Sequence, residues 1–231
     1  MIVLTADIHG TVNFKSIKKS IILKNLTISD YFIVCGDFGV IWDKSKTDNE
    51  LLTWFDSQVF HTLFIDGNHE NFTLLNSYPV TKWNGGKIHQ ISKKVIHLMR
   101  GQVFVIDEKK IFTFGGAFSI KRVRGNSPVY IWEEEMPSQN EYDEGLNNLK
   151  IKDFTVDYVF THTGPKKWLN EINEVENEYE MKLNEYLDQV EEKTQYRHWY
   201  FGHFHKDINK EKYTVMYKKM VLLEGDSYER V

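Results

Sequence analysis

Five short apolar runs along the chain each end abruptly in a polar cluster. Ile2-Val3-Leu4-Thr5 leads to Asp7 and His9, and Tyr31-Phe32-Ile33-Val34 leads to Gly36-Asp37. Thr62-Leu63-Phe64-Ile65 leads to Gly67-Asn68-His69-Glu70. Asp157-Tyr158-Val159-Phe160 leads to His162, and His198-Trp199-Tyr200-Phe201 leads to Gly202-His203-Phe204-His205. The runs are β-branched or aromatic and lack the alternation of a half-exposed strand, so they predict strands buried on both faces. Between the first three runs the apolar spacing turns helical: Phe14, Ile17, Ile21, Ile22 and Leu26, then Leu51, Leu52 and Phe55 behind Thr47 or Asp48 as N-cap. Strands alternating with helices predict an α/β layered fold. Residues 95–99, 102–106 and 111–114 instead predict successive hairpin strands, with Asp107-Glu108-Lys109 at a turn, and 213–217 with 221–223 repeat that pattern. The expectation is a mixed sheet, or two sheets packed together.

Residues 166–193 carry an apolar stripe of Trp168, Ile172, Val175, Tyr179, Leu183, Tyr186, Leu187 and Val190 on an acidic background. Such a stripe ordinarily packs on its own domain's core. A partner-binding or dimerising face is the alternative, and the sequence does not say whether the stretch is one helix or two. No repeat and no Pro/Gly/Ser-rich linker divides the chain, which predicts a single domain over residues 1–231.

Composition narrows this picture modestly. With 231 residues, 41% hydrophobic and 27% charged, the chain can bury a sizeable core. A net charge of −4 argues against a large basic nucleic-acid surface. The single cysteine, Cys35, excludes an intramolecular disulfide and a thiolate-rich structural zinc site. No signal-like segment opens the chain and no apolar run approaches the length of a membrane span, so a cytoplasmic protein that engages no membrane is expected.

In an open α/β sheet, ligands gather outside the carboxyl ends of the strands. All five polar clusters follow such ends, so neighbouring strands would bring Asp7, His9, Asp37, Asn68, His69, His162, His203 and His205 to one rim. Imidazoles combined with carboxylates and an amide oxygen suit borderline divalent ions such as Mn, Fe, Zn or Ni. The donors outnumber what one tetrahedral ion needs but suit two ions sharing a carboxylate. Such a pair can deprotonate water and clamp phosphoryl oxygens.

The ordered series Asp-x-His, Gly-Asp, Gly-Asn-His-Glu, His and Gly-His-x-His resembles the calcineurin-like metallophosphoesterase superfamily, across residues 7 to 205. The resemblance implies a two-sheet β-sandwich flanked by helices and a hydrolase acting on phosphoric esters. It implies one metal held by Asp7, His9 and His205, another held by Asn68, His162 and His203, and Asp37 bridging them. It implies that a hydroxide between the ions attacks phosphorus, and that His69 stabilises or protonates the leaving group without binding metal. The expected substrate is a small phosphomonoester, nucleotide or phosphodiester.

Two departures refine the resemblance. Protein serine/threonine phosphatases of the superfamily run Gly-Asp-x-Val-Asp-Arg-Gly at the second motif, where this chain has Gly36-Asp37-Phe38-Gly39-Val40-Ile41-Trp42. Val40 and Ile41 replace the acid that orients the catalytic histidine and the phosphate-binding arginine, which argues against protein phosphatase activity. Asp43 or Glu70 are the local candidates for orienting His69. The segments Gly115-Gly116-Ala117, Arg122 with Arg124, Trp132-Glu133-Glu134-Glu135 and Pro137-Ser138 resemble small bacterial and phage-type members. Arg122 or Arg124 would supply the phosphate contact missing at Ile41. Ser138 and Glu141 also form a capping-box pattern, and Trp42 and Trp132 are candidates to line a ring-stacking pocket. Two alternatives stay open on sequence: a nuclease of the DNA-repair branch, and a non-enzymatic scaffold using the 166–193 face.

Overall fold

The computed structural model describes residues 1–119 and 132–223, and the backbone of 228–230. Its first sheet is built on parallel strands β1 (Ile2–Thr5), β2 (Tyr31–Cys35), β3 (His61–Ile65) and β6 (Val95–Leu98). Antiparallel strands extend it on both sides: β4 (Val80–Trp83) and β5 (Gly86–Gln90) beyond β6, and β13 (Lys219–Leu222) and β14 (Tyr228–Arg230) beyond β1. The second sheet has a parallel centre of β8 (Lys109–Phe114), β9 (Tyr158–Thr161), β10 (His198–Phe201) and β12 (Tyr213–Val215). The antiparallel edges are β7 (Gln102–Ile106) and β11 (Ile208–Asn209).

The helices are α1 (Thr11–Lys19), α2 (Ile21–Lys24), α3 (Lys46–Ser57), α4 (Phe72–Leu75), α5 (Gln139–Ile151), α6 (Lys166–Leu169) and α7 (Met181–Lys193). They flank the sheets to give three apolar layers. Alternation along each strand explains the layers. Ile2, Leu4, Ile33, Leu63 and Ile65 of the first sheet face Phe104, Ile111, Tyr158, Phe160 and Tyr200 of the second. Their neighbours Val3, Phe32, Val34 and Phe64 point the other way, onto Ile17, Leu23, Leu51 and Phe55. On the far side, Phe112, Phe114, Val159, Trp199 and Phe201 pack under Tyr142, Leu149, Leu183, Leu187 and Val190. Both faces of the central strands are therefore buried, which is why these segments read as continuous apolar runs. The layered α/β fold expected from the pattern is observed, in the two-sheet sandwich form that the resemblance implies.

One local expectation changes and two stretches left open gain their form. The 14–26 stretch is two helices, because Ser20 leaves helical geometry and its hydroxyl instead accepts a hydrogen bond from the Leu23 amide at 3.2 Å. The N-cap of α3 is Ser45, not Thr47 or Asp48. Asp48 is occupied elsewhere: its Oδ2 accepts from the amides of Trp42, Asp43 and Lys44 at 2.7–3.0 Å and closes that turn. The 166–193 stretch is α6, a 3-10 turn over Asn170–Ile172, a connecting loop and then α7. Its stripe buries Trp168, Ile172, Leu183, Tyr186, Leu187 and Val190 in the chain's own core and leaves Val175 and Tyr179 exposed. The capping box at Ser138 and Glu141 is present as expected. Among the described residues no helix is long and apolar enough to cross a membrane.

Candidate metal centre

The carboxyl ends of β1, β2 and β3 meet those of β9 and β10 where the two sheets adjoin, and the polar clusters lie in the turns just beyond. Asp7, His9, Asp37, His203 and His205 all adopt left-handed backbone conformations, with φ between 50° and 67°. A non-glycine residue there costs roughly 1–2 kcal/mol, and such strain concentrates at functional sites. The turns are held by one another. Asp7 and His9 amides donate to the carbonyls of Gly36 and Asp37 at 3.1 and 2.9 Å, and the Gly202 amide donates to the His162 carbonyl at 2.9 Å. The His203 amide donates to Asp7 Oδ2 at 3.0 Å, and the His69 amide to Asp37 Oδ1 at 2.8 Å.

Two groups of ligand-type atoms result. In the first, Asp7 Oδ1 lies 3.9 Å from His9 Nε2 and 3.4 Å from His205 Nε2, and the two imidazole nitrogens are 3.0 Å apart. In the second, Asn68 Oδ1 sits 3.0 Å from both His162 Nε2 and His203 Nδ1. Asp37 stands between them, with Oδ2 3.7 Å from His9 Nε2 and Oδ1 3.4 Å from His162 Nε2. The structure thus brings together all seven side chains singled out as candidate ligands, with His69 beside them.

The donor set passes a direct test of fit to cations. Asp7 is fully buried, and among the described residues its Oδ1 has no hydrogen-bond partner. An unpaired buried carboxylate oxygen is costly unless a cation faces it. The imidazole nitrogens of His9, His205 and His162 point at the same space as the Asp7 and Asp37 carboxylates. Burial opposes a charge on His162, but Asp37 outweighs it and raises the imidazole to about 10. Burial likewise works against the Asp37 carboxylate, and His162 more than reverses it, holding Asp37 far below the usual range. Beside Asp37 the His162 imidazole therefore favours its protonated form, whereas at His9 burial outweighs Asp37 and Asp7 and lowers that ring. A metal ion bound beside Asp37 would displace the His162 proton.

The surroundings orient the donors. His162 Nδ1 lies 3.0 Å from the Cys35 carbonyl, which fixes that nitrogen as the donor and turns Nε2 inward. The Asn68 amide nitrogen donates to Ser119 Oγ at 3.1 Å, leaving Oδ1 for the histidines. Gly36, at φ 88°, passes directly under His162, where any Cβ would overlap the imidazole.

Glu180 is the main residue that sequence reasoning missed. It is buried at the start of α7, and its Oε2 lies 3.3 Å from His203 Nε2, opposite the Nδ1 that faces Asn68. Thr163 Oγ1, Asn184 Nδ2 and the Phe118 amide also donate to its carboxylate. Burial resists its ionisation, but His203 and these donors hold it at about 2. Carboxylate–histidine pairs of this kind fix the ring that faces a metal. Nothing local in the sequence marks Glu180, because its partner is supplied by a different strand end.

His69 is exposed, its ring 5.3 Å from that of His9, and among the described residues no hydrogen bond to the His69 ring is present. Neither candidate for orienting it does so. Glu70 is buried and accepts from the Phe38 and Gly39 amides, bracing the Asp37 loop. Asp43 accepts from the Ser45 amide. Trp42 and Trp132 contact each other edge to face at 5.4 Å. Arg122 and Arg124 lie outside the described residues.

The profile of the calcineurin-like phosphoesterase family matches residues 1–207. The chain belongs to that family. Among solved structures, the chain is similar to a putative 5'-nucleotidase from Staphylococcus aureus in complex with alpha-ketoglutarate, at 14% identity and a TM-score of 0.47. That match covers 95% of this chain and 49% of the other, so the chain spans about half the length of that protein. It is also similar to phosphopantetheinyl hydrolase (PptH) from Mycobacterium tuberculosis, at 14% identity and a TM-score of 0.45, over 94% of this chain and 87% of the other. No curated protein matches the chain.

Proposed function

We propose that this phosphoesterase hydrolyses a small phosphomonoester, nucleotide or phosphodiester, using two divalent transition-metal ions from among Mn, Fe, Zn and Ni. Asp7, His9 and His205 would hold one ion and Asn68, His162 and His203 the other. The observation that carries this reading is the position of Asp37, whose two carboxylate oxygens face the two groups separately, at 3.7 and 3.4 Å. When bound, such ions activate water as a nucleophile and neutralise phosphoryl oxygens.

The chain's own residues do the rest. His162 and His203 are held by Cys35 and Glu180 with one nitrogen turned inward, so the site is shaped before substrate arrives. A cavity of about 540 Å³ opens over Asp37, Asn68, His69 and His203 and is large enough for a small ester. His69 stands at its wall, exposed and free to turn, and would deliver a proton to the leaving oxygen. At Val40 and Ile41 the Gly36–Ile41 segment carries neither the acid nor the arginine that the protein serine/threonine phosphatases have there, which disfavours phosphoprotein substrates.

The test is a panel of monoesters, cyclic and linear diesters and dinucleoside polyphosphates, assayed with Mn and with Ni. The account expects turnover of at least one ester class that depends on added metal. A chain that binds no metal and hydrolyses nothing across the panel would favour a scaffold instead.

A further inference from the structure

Beside the candidate metal centre lies a second, larger cavity of about 1030 Å³. Phe118, Trp132, Met136, Val175 and Tyr179 give it apolar and aromatic walls. Phe118 and Tyr179 stack with ring centroids 4.9 Å apart and planes 18° apart. Phe118 and Val175 also line the cavity over the metal centre, so the two spaces adjoin. Val175 is 87% exposed and Tyr179 63%. Large apolar side chains clustered in the open beside a reactive centre are characteristic of a ligand surface.

A polar feature gives this cavity direction. Glu135 lines it while being only 1% exposed. One carboxylate oxygen accepts from the Ser119 amide at 2.9 Å, and for the other, Oε2, no hydrogen-bond partner is present among the described residues. A buried acceptor left unpaired is destabilising, and a ligand N–H or O–H would relieve it. The rim adds Glu133, Glu176 and Glu178, of which Glu176 is shared with Lys166 at 3.6 Å. No lysine or arginine is among the described lining residues.

We propose that this cavity receives the leaving group of the substrate, and that it selects an aromatic group bearing a hydrogen-bond donor and a neutral or positive charge over an anionic one. The ring would lie along Phe118, Tyr179 and Trp132, with its donor on Glu135 Oε2. A polyphosphate or carboxylated leaving group would meet the glutamates unfavourably. The proposal rests on the phosphoesterase reading for the word leaving group, but the recognition itself does not.

The experiment separates the two. Binding of 4-hydroxybenzylamine and of 4-hydroxybenzoate to the full chain is measured by calorimetry, without added metal, for wild type, Glu135→Gln and Tyr179→Ala. In parallel, kcat/KM is measured with metal for 4-(aminomethyl)phenyl phosphate and 4-carboxyphenyl phosphate. The amine should bind about tenfold or more tighter than the acid, and each substitution should erase most of that margin. The ester ratio should follow the same order and fall towards one in the variants. Tyr179 is exposed, so Tyr179→Ala should fold even if Glu135→Gln does not. Equal or tighter binding of the acid, or an amine affinity unchanged by Tyr179→Ala and by any folded Glu135→Gln, would overturn the proposal. Amine binding as expected with neither ester hydrolysed would leave the subsite standing and overturn its assignment to an aryl monoester's leaving group, while the phosphoesterase reading itself falls only if the whole ester panel is also inert.

Discussion

Glu180→Gln should weaken one metal ion and spare the other. The substitution keeps the side chain's shape and removes its charge. The carboxylate accepts from Thr163 Oγ1 at 2.6 Å and Asn184 Nδ2 at 3.1 Å on one oxygen. The other oxygen accepts from the Phe118 amide at 2.9 Å and lies 3.3 Å from His203 Nε2. A glutamine must put its NH2 on one of these sides. On the second it opposes two N–H donors, and on the first it opposes the Asn184 amide. Either way His203 is held less firmly, and its Nδ1, 3.0 Å from Asn68 Oδ1, is less well aimed. Loss of such an outer partner typically costs 10–100-fold in metal affinity, or about 1.4–2.7 kcal/mol. The group formed by Asp7, His9 and His205 has no contact with Glu180 and should keep its affinity within about threefold. Calorimetric titration of the metal-free protein with Mn or Zn, resolving two affinities, measures this. Equal weakening of both ions, or of neither, would refute the role given to Glu180.

Gly36→Ala should cost about 2–5 kcal/mol in thermal or urea unfolding, from a left-handed alanine and an overlap with the His162 ring, and should abolish binding of the ion that His162 would hold. Asp66→Asn should destabilise by about 3 kcal/mol near neutral pH, because it removes the nearer carboxylate facing the buried Arg100 guanidinium, 2.6 Å from Asp66 Oδ2, and leaves only the more exposed Glu141 at 3.6 Å. Burial opposes ionisation of Asp66, but Arg100 and His97 hold its carboxyl below the usual range. The stability it confers is therefore full above about pH 4 and drains away as pH falls towards the lower folded value, so wild type and variant should converge in acid. His69→Ala should leave metal content unchanged and lower kcat by about 10²–10⁴-fold on a poor leaving group, because the His69 side chain belongs to neither ligand group.

Much of this structure is legible in the chain, for identifiable reasons. The central strands bury both faces, so Tyr31-Phe32-Ile33-Val34 and its counterparts stand out as unbroken apolar runs. The gathered polar side chains are legible because each follows its strand within a few residues, in turns too tight to carry them elsewhere. Partnerships made through space are not legible. Glu180 looks like one more acid on a polar helix until α7 packs it against Thr163 and His203. The β4–β5 hairpin escapes notice because Val80-Thr81-Lys82-Trp83 is largely exposed and carries no core pattern. The cap of α3 is missed because two residues suited to capping follow Ser45, and only the folded turn shows that Asp48 is already engaged. The stripe over 166–193 mixes two outcomes: most of it is core, and Val175 with Tyr179 is the exposed wall of a cavity.

The central claim is that two ions, held on either side of Asp37, together drive ester hydrolysis. Adding Mn in known equivalents to the metal-free protein, and following hydrolysis of 4-nitrophenyl phosphate and of bis(4-nitrophenyl) phosphate at each step, tests it in one titration. The account predicts that the rate stays low through the first equivalent and rises to a plateau that breaks at about two per chain. A plateau reached at one equivalent, or no metal-dependent rate at any ratio, would contradict it.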